Sequence, residues 1–370
     1  MEWLIAFGSV ACIGLLLLPW RPWSTRERLE PVNRPPTDSD LADITALIPA
    51  RNEQENVERT LRGLRNQGQN LPIVLVDDQS SDQTRAKAEG LRLANFMIVE
   101  GRELPNGWTG KLWALEQGRK CVNSPLLLLL DADIELTPGT LRALRDKLVS
   151  ENLDLVSIMA TLRTEDFWEK CLAPAFVFFF KLIYPFALGN SPLSKLGVAA
   201  GGCMLLRTKT LTTIGGFEAV RDAVIDDCSL AQKVKNAGGR TWVGLSQNVR
   251  SHRPYSKLSN FWTMVARTAY TQLGYSVPLL LATTVLMLVL FWSPFVAIMT
   301  TSWIAKWLAL IGWTGMTGAY LPTIRFYRLS PLWALTLPVM ATLYLLMTWS
   351  SAFAYWKGRR SAWKGRIYAR

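Results

Sequence analysis

The chain has 370 residues, enough for a catalytic domain and a further unit, and 49% of them are hydrophobic, including 16 tryptophans. This fraction is high for a soluble enzyme, and apolar segments with interfacial tryptophans would explain it. Five scattered cysteines without a Cys-x-x-Cys pair, and His252 as the only histidine, argue against a zinc site or a disulfide framework. They indicate a reducing compartment for the main domain.

The net charge of +12 concentrates beside apolar segments. Residues 357–370 carry six basic residues and no acidic one. An anionic membrane face is therefore favoured over nucleic acid as the partner, and we predict a basic cytoplasmic tail at 357–370.

An uncharged apolar run from Trp3 to Trp20 is about long enough to span a bilayer and has a tryptophan at each end. The basic residues that precede the apolar part of a signal peptide are missing, and arginines follow the run instead. We therefore expect an uncleaved transmembrane anchor at 1–22, with the next domain in the cytoplasm. Prolines among polar residues predict a linker over 23–42.

Between residues 43 and 251, apolar strand-like runs alternate with amphipathic helix-like runs, which is typical of βαβ units. The predicted fold is α/β, with a Rossmann-like, mostly parallel sheet. The predicted strands are Ile44–Pro49, Ile73–Asp77, Phe96–Val99, Leu126–Leu130, Leu155–Thr161 and Val198–Leu206.

Polar residues follow the first two strands, at Pro49–Glu53 and Asp77–Asp82. Carboxylates at strand ends could accept hydrogen bonds from the ribose and base of a nucleotide. The alternative for the second stretch is capping of the helix after it. We expect Asp82 to cap and Asp77 or Asp78 to bind.

Residues 104–111 read Leu-Pro-Asn-Gly-Trp-Thr-Gly-Lys and lead into a predicted helix that ends at about Cys121. The glycines allow close backbone approach, and Lys111 at the helix start could meet a diphosphate as a point charge. A lysine on a flexible surface loop is the alternative.

The apolar run Leu126–Leu130 ends in Asp131-Ala132-Asp133. Such a run, bounded by turn residues, is typical of a central strand buried on both faces. Its carboxyl end is where open α/β sheets place ligands, and hard oxygen donors suit Mg²⁺ or Mn²⁺ carrying a diphosphate. A solvated loop is the alternative.

Two adjacent acids, Asp226 and Asp227, precede a predicted helix over Cys228–Ala237. They could simply favour the helix dipole. Neighbouring like charges also raise the pKa of one carboxyl group, which suits a base that takes a hydroxyl proton near neutral pH. Helix stabilisation explains one acid better than it explains both.

Apolar segments dominate the rest of the chain. We expect Phe167–Leu188 to lie at the membrane interface and present a lipid acceptor, with buried core as the alternative. Residues 252–276 would be a second interfacial, amphipathic segment, and 277–356 would hold three transmembrane segments. Four full crossings would place the basic tail outside, so one segment is expected to be re-entrant or a hairpin.

Four motifs, in this order, resemble those of family 2 glycosyltransferases of GT-A fold: residues 49–53, 76–82, 107–111 and 131–133. Segments 201–205, 225–230 and 363–368, together with the membrane segments, are most similar to the hopanoid-biosynthesis-associated membrane glycosyltransferases. Ceramide glucosyltransferases are more distantly similar. The resemblance covers nearly the whole chain.

The resemblance implies a set of site residues. Asp227, with Asp226, would be catalytic, and Asp131 and Asp133 would bind the cofactor, Mn²⁺ or Mg²⁺. Trp108, Gly202 and His252 would contact the acceptor or the diphosphate. The implied nucleotide-sugar site comprises Pro49, Arg51, Glu53, Asp77, Asp78, Lys111, Asp131 and Arg267.

Arg267 is assigned by its distance from Asp227. In many membrane relatives the base is followed by a motif that consists of Gln or Arg, any two residues, Arg and Trp. In this chain the tryptophan of the motif is missing, because Ser251 follows Arg250 and Thr268 follows Arg267. The missing tryptophan disfavours a processive polymer synthase.

The resemblance therefore implies a multi-pass protein of the bacterial inner membrane with a cytoplasmic catalytic domain. It would be an inverting, metal-dependent enzyme that transfers sugar from a nucleotide sugar, a UDP-sugar by preference, to a lipid acceptor such as a hopanoid. Asp227 would deprotonate the acceptor hydroxyl. The alternatives are a polyprenyl phosphate or sphingolipid-like acceptor, or a non-catalytic nucleotide-binding membrane scaffold.

Overall fold

The computed structural model describes residues 2–31, 40–358, 362–364 and 366–367. The chain forms two compact units. The sheet unit comprises 27–163, 188–254 and 360–370, and the helical unit comprises 1–26, 164–187 and 255–359. The predicted linker at 32–39 and much of the predicted basic tail lie outside the described residues.

Eight described strands of the sheet unit form one mixed sheet in the order β3-β2-β1-β4-β7-β6-β8-β5. The strands are β1 (Ile44–Ala50), β2 (Ile73–Asp77), β3 (Phe96–Glu100), β4 (Leu126–Leu130), β5 (Ile134–Leu136), β6 (Leu155–Thr161), β7 (Cys203–Arg207) and β8 (Thr241–Ser251). Strands β1 to β4 pair in parallel, as do β6 and β8, whereas β7 runs antiparallel between β4 and β6, and β5 runs antiparallel to β8. The predicted α/β class is confirmed.

Strand β4 lies at the centre of the sheet and is buried on both faces. Leu126, Leu128 and Leu130 belong to one hydrophobic cluster, and Leu127 and Leu129 belong to the other. Because successive side chains of a strand point to opposite faces, an unbroken leucine run is what a two-sided core requires. Asp131 therefore directly follows the carboxyl end of a strand that lies in the middle of the core.

Helices connect the strands of the sheet unit and make up most of the helical unit. They are α1 (Glu2–Leu17), α2 (Val57–Arg65), α3 (Thr84–Gly90), α4 (Gly110–Arg119), α5 (Thr140–Ser150), α6 (Phe167–Ile183), α7 (Phe186–Asn190), α8 (Thr208–Thr213), α9 (Asp226–Asn236), α10 (Leu258–Ala266), α11 (Ala269–Gln272), α12 (Val277–Ile298), α13 (Trp303–Phe326) and α14 (Leu337–Trp356). A short antiparallel pair, β9 (Ala362–Trp363) and β10 (Arg366–Ile367), follows in the sheet unit.

Strands β1 and β3 each end one residue later than predicted, and three other elements also differ from their predicted boundaries. Strand β7 begins at Cys203 and not at Val198, because the residues before it are held outside the ladder: Ser157 Oγ and the Ala200 backbone bond to each other in both directions. The helix predicted to begin at Cys228 begins at Asp226, so both acids lie in its first turn. The predicted helix end at Cys121 falls at Arg119.

Two described stretches of the helical unit are long and apolar enough to cross a membrane, Val277–Ile298 and Pro331–Trp356. Helix α1 has 16 residues, fewer than the ~20 that a bilayer core requires, so a crossing by this segment stays a prediction. The second of the three predicted C-terminal segments, in chain order, forms helix α13, which carries Lys306 and Arg325.

Helix α6 belongs to the helical unit, although the predicted catalytic domain of residues 43–251 included it. Asp166 and Glu169 form a capping box at its start, and Pro174 lies within it. The Tyr344 hydroxyl of α14 donates to the Leu172 carbonyl over 2.8 Å. The aromatic segment that we expected at a membrane interface therefore packs on an apolar helix of the same unit.

Candidate active site

Lys111 lies among three carboxylates that come from two different elements, the end of β4 and the start of α9. Its Nζ is 2.9 Å from Asp131 Oδ1, at the end of β4, and 3.3 Å from Asp226 Oδ2, at the start of α9. Lys111 itself stands in the first turn of α4. The topology thus gathers a cation and the predicted acids of two distant segments at one point.

Asp227 is fixed by backbone donors. Its Oδ2 accepts from the Gly201 N–H and its Oδ1 from the Cys228 N–H, both over 2.7 Å. A Cβ atom at Gly201 would lie 3.3 Å from both Asp227 Oδ2 and Lys111 Nζ, so a side chain there would crowd the two groups. Sequence reasoning named Gly202 and missed Gly201, whose only signal was its place in the Gly-Gly pair.

Gly202 contacts Asp131 through its backbone. Its carbonyl accepts from the Asp131 N–H over 3.0 Å. It therefore holds the backbone of Asp131, and the residues that approach Asp227 are Gly201 and Lys111.

The site perturbs the ionisation of its members. Loss of water around its carboxylate, and then the negative charge of Asp226, raise the pKa of Asp227 to about 6. Burial likewise raises the pKa of Asp131. Burial opposes the charge of Lys111, but Asp131 and Asp226 outweigh it and raise the pKa of the ammonium group. Lys111 is therefore a permanent cation, and Asp227 is a carboxylate that can take up a proton near neutral pH.

A pocket opens at this cluster. Its polar lining includes Lys111, Asp131, Asp226 and Asp227, and Pro49 of β1 also borders it. Its apolar lining consists of Leu112, Leu115, Leu129, Leu130, Met204, Phe217 and Leu230. The pocket thus brings together five of the predicted site residues at the carboxyl ends of β1 and β4.

A second charged cluster surrounds Asp133. Arg253 Nε is 3.1 Å from Asp133 Oδ2, and Arg253 Nη2 is 2.5 Å from Glu53 Oε1. Ser251 Oγ donates to the same Asp133 oxygen over 3.0 Å. Arg253 was not predicted, because sequence reasoning weighed Arg250 and Arg267 by their spacing. The signal that it offered was a basic residue close after a strand.

Arg51 connects the loops after β1 and β2. Its Nη1 donates to the Gln79 carbonyl over 3.1 Å and also to the Asp78 carbonyl. The carboxylate of Asp78 is fully buried and lies 4.0 Å from the same guanidinium. Both predicted nucleotide-site residues therefore hold these loops together.

The two remaining acids of the β2 loop have different partners. Asp82 Oδ1 accepts from the Thr84 N–H, the first of α3, and Asp82 Oδ2 accepts from the Gln54 N–H. Asp82 thus serves the helix start, although Gln83 occupies the N-cap position. Asp77, whose Oδ1 accepts from the Ser80 N–H, borders an open cleft of about 490 Å³.

Trp108, His252 and Arg267 are the other predicted residues that the structure describes. Trp108 is buried in the core, where its ring packs 5.3 Å from that of Trp113. His252 Nε2 is 2.5 Å from Glu135, and the His252 N–H donates to the Asp133 carbonyl. Arg267 lies in the helical unit, at the C-cap of α10.

The donor chemistry of Asp131 and Asp133 fits a divalent metal. Within the described ranges no group of three or more His, Cys, Asp or Glu side chains is arranged to hold a metal. Mg²⁺ in phosphate sites uses one or two carboxylates and completes its shell with water and substrate oxygens. The two aspartates meet that requirement, and each has an oxygen now paired with a cation, Lys111 or Arg253.

One stretch of the sequence matches a known family, and it contains Arg51, Asp78, Lys111 and Asp131. Residues 45–215 match Glycosyl transferase family 2. The family 2 match ends before Asp226, Asp227 and Arg253, so these residues lie beyond it.

Two curated proteins are similar to parts of this chain. The 4,4'-diaponeurosporenoate glycosyltransferase of Staphylococcus haemolyticus is 30% identical over 34% of this chain and 33% of its own length. The GalNAc(5)-diNAcBac-PP-undecaprenol beta-1,3-glucosyltransferase of Campylobacter jejuni is 29% identical over 29% of this chain and 35% of its own length. The chain thus matches about a third of the length of each relative.

A solved structure shares the fold. The mannosyltransferase from Pyrobaculum calidifontis, solved with GDP-Man and Mn²⁺, has a TM-score of 0.56 and 19% identity, over 95% of this chain and 98% of its own. The GT-A fold predicted from the sequence is confirmed. The narrower resemblance to hopanoid-associated and ceramide enzymes stays a prediction.

Proposed function

We propose that the sheet unit transfers a sugar from a nucleoside diphosphate sugar to an acceptor hydroxyl, with Asp227 as the catalytic base. The observation that carries the proposal is the position of Asp227, which has a raised pKa and lies beside Lys111 in a pocket at the strand ends. A base is most effective when its pKa lies near the working pH.

The other site residues support the same reaction. Asp227 would take the acceptor proton while the oxygen attacks the anomeric carbon opposite the departing diphosphate, which inverts that carbon. Lys111 would neutralise charge on the leaving diphosphate, and its partners Asp131 and Asp226 keep it protonated and in place. Asp77 borders the open cleft of about 490 Å³, which is large enough for the nucleoside. Pro49 borders the small cavity that also contacts Lys111.

Asp131 and Asp133 would hold Mn²⁺ or Mg²⁺. When bound, the metal would supply positive charge for the diphosphate. The mannosyltransferase from Pyrobaculum calidifontis, which shares this fold, was solved with Mn²⁺, and this supports the assignment.

We propose a lipid acceptor. One relative is named for an undecaprenol-linked compound, and the chain has two described stretches that could cross a membrane. A hopanoid rests on the resemblance of segments 201–205, 225–230 and 363–368 alone. We further propose a multi-pass protein of the inner membrane with the sheet unit in the cytoplasm, where nucleotide sugars are made.

The proposal is tested by nucleotide release from the full-length, detergent-purified protein, with a panel of UDP- and GDP-sugars, a membrane lipid extract and Mn²⁺ or Mg²⁺. Asp227→Asn should lower the rate by about 10²–10⁴-fold, the usual contribution of a general base. Asp222→Asn is the matched control, because Asp222 is an exposed acid of the same segment. Equal rates in wild type and Asp227→Asn would remove Asp227 as the base, and no release with any donor would contradict the activity.

A further inference from the structure

The segment after the apolar helices returns to the sheet unit. The antiparallel pair β9 and β10 flanks Lys364, whose backbone φ is +48°. The Lys364 carbonyl accepts from Arg51 Nε over 3.1 Å, which fixes the backbone of the turn against the loop after β1. The sequence predicts a basic cytoplasmic tail at 357–370, and Lys364 of this segment contacts the loop after β1.

The side chain of Lys364 belongs to the second charged cluster, in which Arg253 pairs with Asp133 and Glu53. Its Nζ is 2.9 Å from Glu53 Oε1 and 3.2 Å from the Asn52 carbonyl. Arg253 pairs with the same Glu53 oxygen, so one nearly buried carboxylate receives two cations. An ammonium group has three N–H donors, and these two contacts use two of them.

The charges explain why a second cation is needed here. Glu53 and Asp133 carry two negative charges at the site proposed for a diphosphate, and Arg253 alone balances only one of them. An unbalanced carboxylate would repel the incoming diphosphate. Lys364 neutralises the second charge and keeps a donor for a phosphate oxygen.

Building on the proposed function, we infer that Lys364 binds the diphosphate of the donor, so that the C-terminal segment completes the donor site. Lys364 would then act in substrate binding and leave proton transfer to Asp227. The chemical class of its ligand is the diphosphate group of a nucleoside diphosphate, whichever base that nucleotide carries.

The inference is tested by calorimetric binding of UDP, GDP and uridine to the full-length, detergent-purified protein. Lys364→Ala should weaken the better-bound diphosphate about tenfold, as expected for a lost charge-assisted hydrogen bond, and should leave uridine binding unchanged. Lys364→Arg should recover most of the affinity. Lys357→Ala, at an exposed lysine of the same basic tail, is the control and should bind as wild type does.

The outcomes separate the inference from the proposed function. Wild type that binds neither diphosphate overturns both. Diphosphate binding that is unchanged, or tighter, in Lys364→Ala overturns this inference alone and leaves Asp227 untouched. Equal losses for UDP and uridine, without rescue by Lys364→Arg, would show that Lys364 only supports the loop, and would overturn it as well.

Discussion

The pKa of the Asp227 carboxyl group is lowered by its two backbone N–H partners and raised by burial and by Asp226. The N–H groups of Gly201 and Cys228 favour the charged form, whereas burial and Asp226 favour the neutral form and prevail. Lys111 also favours the charged form. The pKa of Asp227 therefore depends on two nearby charges with opposite effects, the carboxylate of Asp226 and the ammonium group of Lys111.

The rate of nucleotide release should rise between pH 5 and 7, with its midpoint close to the pKa of Asp227, about 6. The sign follows from the role: a base must be deprotonated, and an acidic group is increasingly deprotonated as pH rises. The measurement is the kcat of nucleotide release between pH 5 and 8, with acceptor and donor saturating.

Asp226→Asn provides the comparison for this profile. Removing the negative charge beside Asp227 lowers the pKa of Asp227, and it also frees Lys111 from one of its two ion pairs. The acidic limb of the profile should therefore move to lower pH. A limb that stays in place, or moves to higher pH, would show that another group controls it.

Individual site residues could be predicted where the neighbouring residues form a recognisable sequence pattern. Asp131 and Asp133 follow an apolar strand, and Lys111 begins a helix after glycines, so their positions followed from neighbouring residues. Arg253 pairs with Asp133, 120 positions away, and Lys364 pairs with Glu53, 311 positions away. No local sequence pattern predicts such a pairing. Only the folded sheet shows which loops meet.

At the scale of elements, β8 determines how Asp133 is held. Ser251, at the end of β8, pairs with Ile134, the residue after Asp133. This register carries the next residues of the chain past Asp133, so Arg253 can reach both Asp133 and Glu53. An edge pairing between β5 and β8 thus provides the cation of the second cluster.

Arg253→Ala should destabilise the fold by about 1–3 kcal/mol, because it leaves the nearly buried carboxylates of Glu53 and Asp133 without that partner. It should also weaken nucleoside diphosphate binding. The checks are urea unfolding of the detergent-purified protein and calorimetric titration with UDP and GDP. Arg240→Ala, at an exposed arginine next to the start of β8, should change neither property. A stable Arg253→Ala variant with unaltered binding would show that the ion pairs are incidental.

Strands β2, β4 and β6 were predicted to the residue, whereas β8 was not predicted. The observed bounds of β2, β4 and β6 equal the predicted ones, because their residues form apolar runs that local patterns reveal. Strand β8 was not predicted, since Gln247, Asn248 and Arg250 interrupt its apolar residues. Its identity as a strand comes from pairing with β6 and β5, which is tertiary information.

At the scale of the whole molecule, exposed apolar residues distinguish the helical unit. In α12, Leu279, Leu281, Val285, Leu286 and Leu288 are all exposed. A large apolar surface of this kind is unfavourable in water, and the proposed membrane location would cover it with lipid. The excess of hydrophobic residues in the composition therefore resides mainly in this unit.

Leu288→Arg should lower the yield of full-length protein in carbonate-washed membranes several-fold, because arginine at the centre of a membrane-spanning helix costs about 3 kcal/mol. Val149→Arg makes the same kind of change at an exposed apolar residue of α5 in the sheet unit, and its yield should match wild type. The measurement is immunoblotting of washed membranes. Equal yields for both variants, or wild type released by carbonate, would contradict a membrane-spanning α12.

The contact between Lys364 and Glu53 also orders events during synthesis. A ribosome makes the chain from its amino end, so the loop that carries Glu53 emerges early, and Lys364 emerges only after α12, α13 and α14. A nascent chain whose apolar helices have not yet left the ribosome therefore lacks this ion pair. The donor site reaches its final charge balance only after the segments that could enter the membrane have been made.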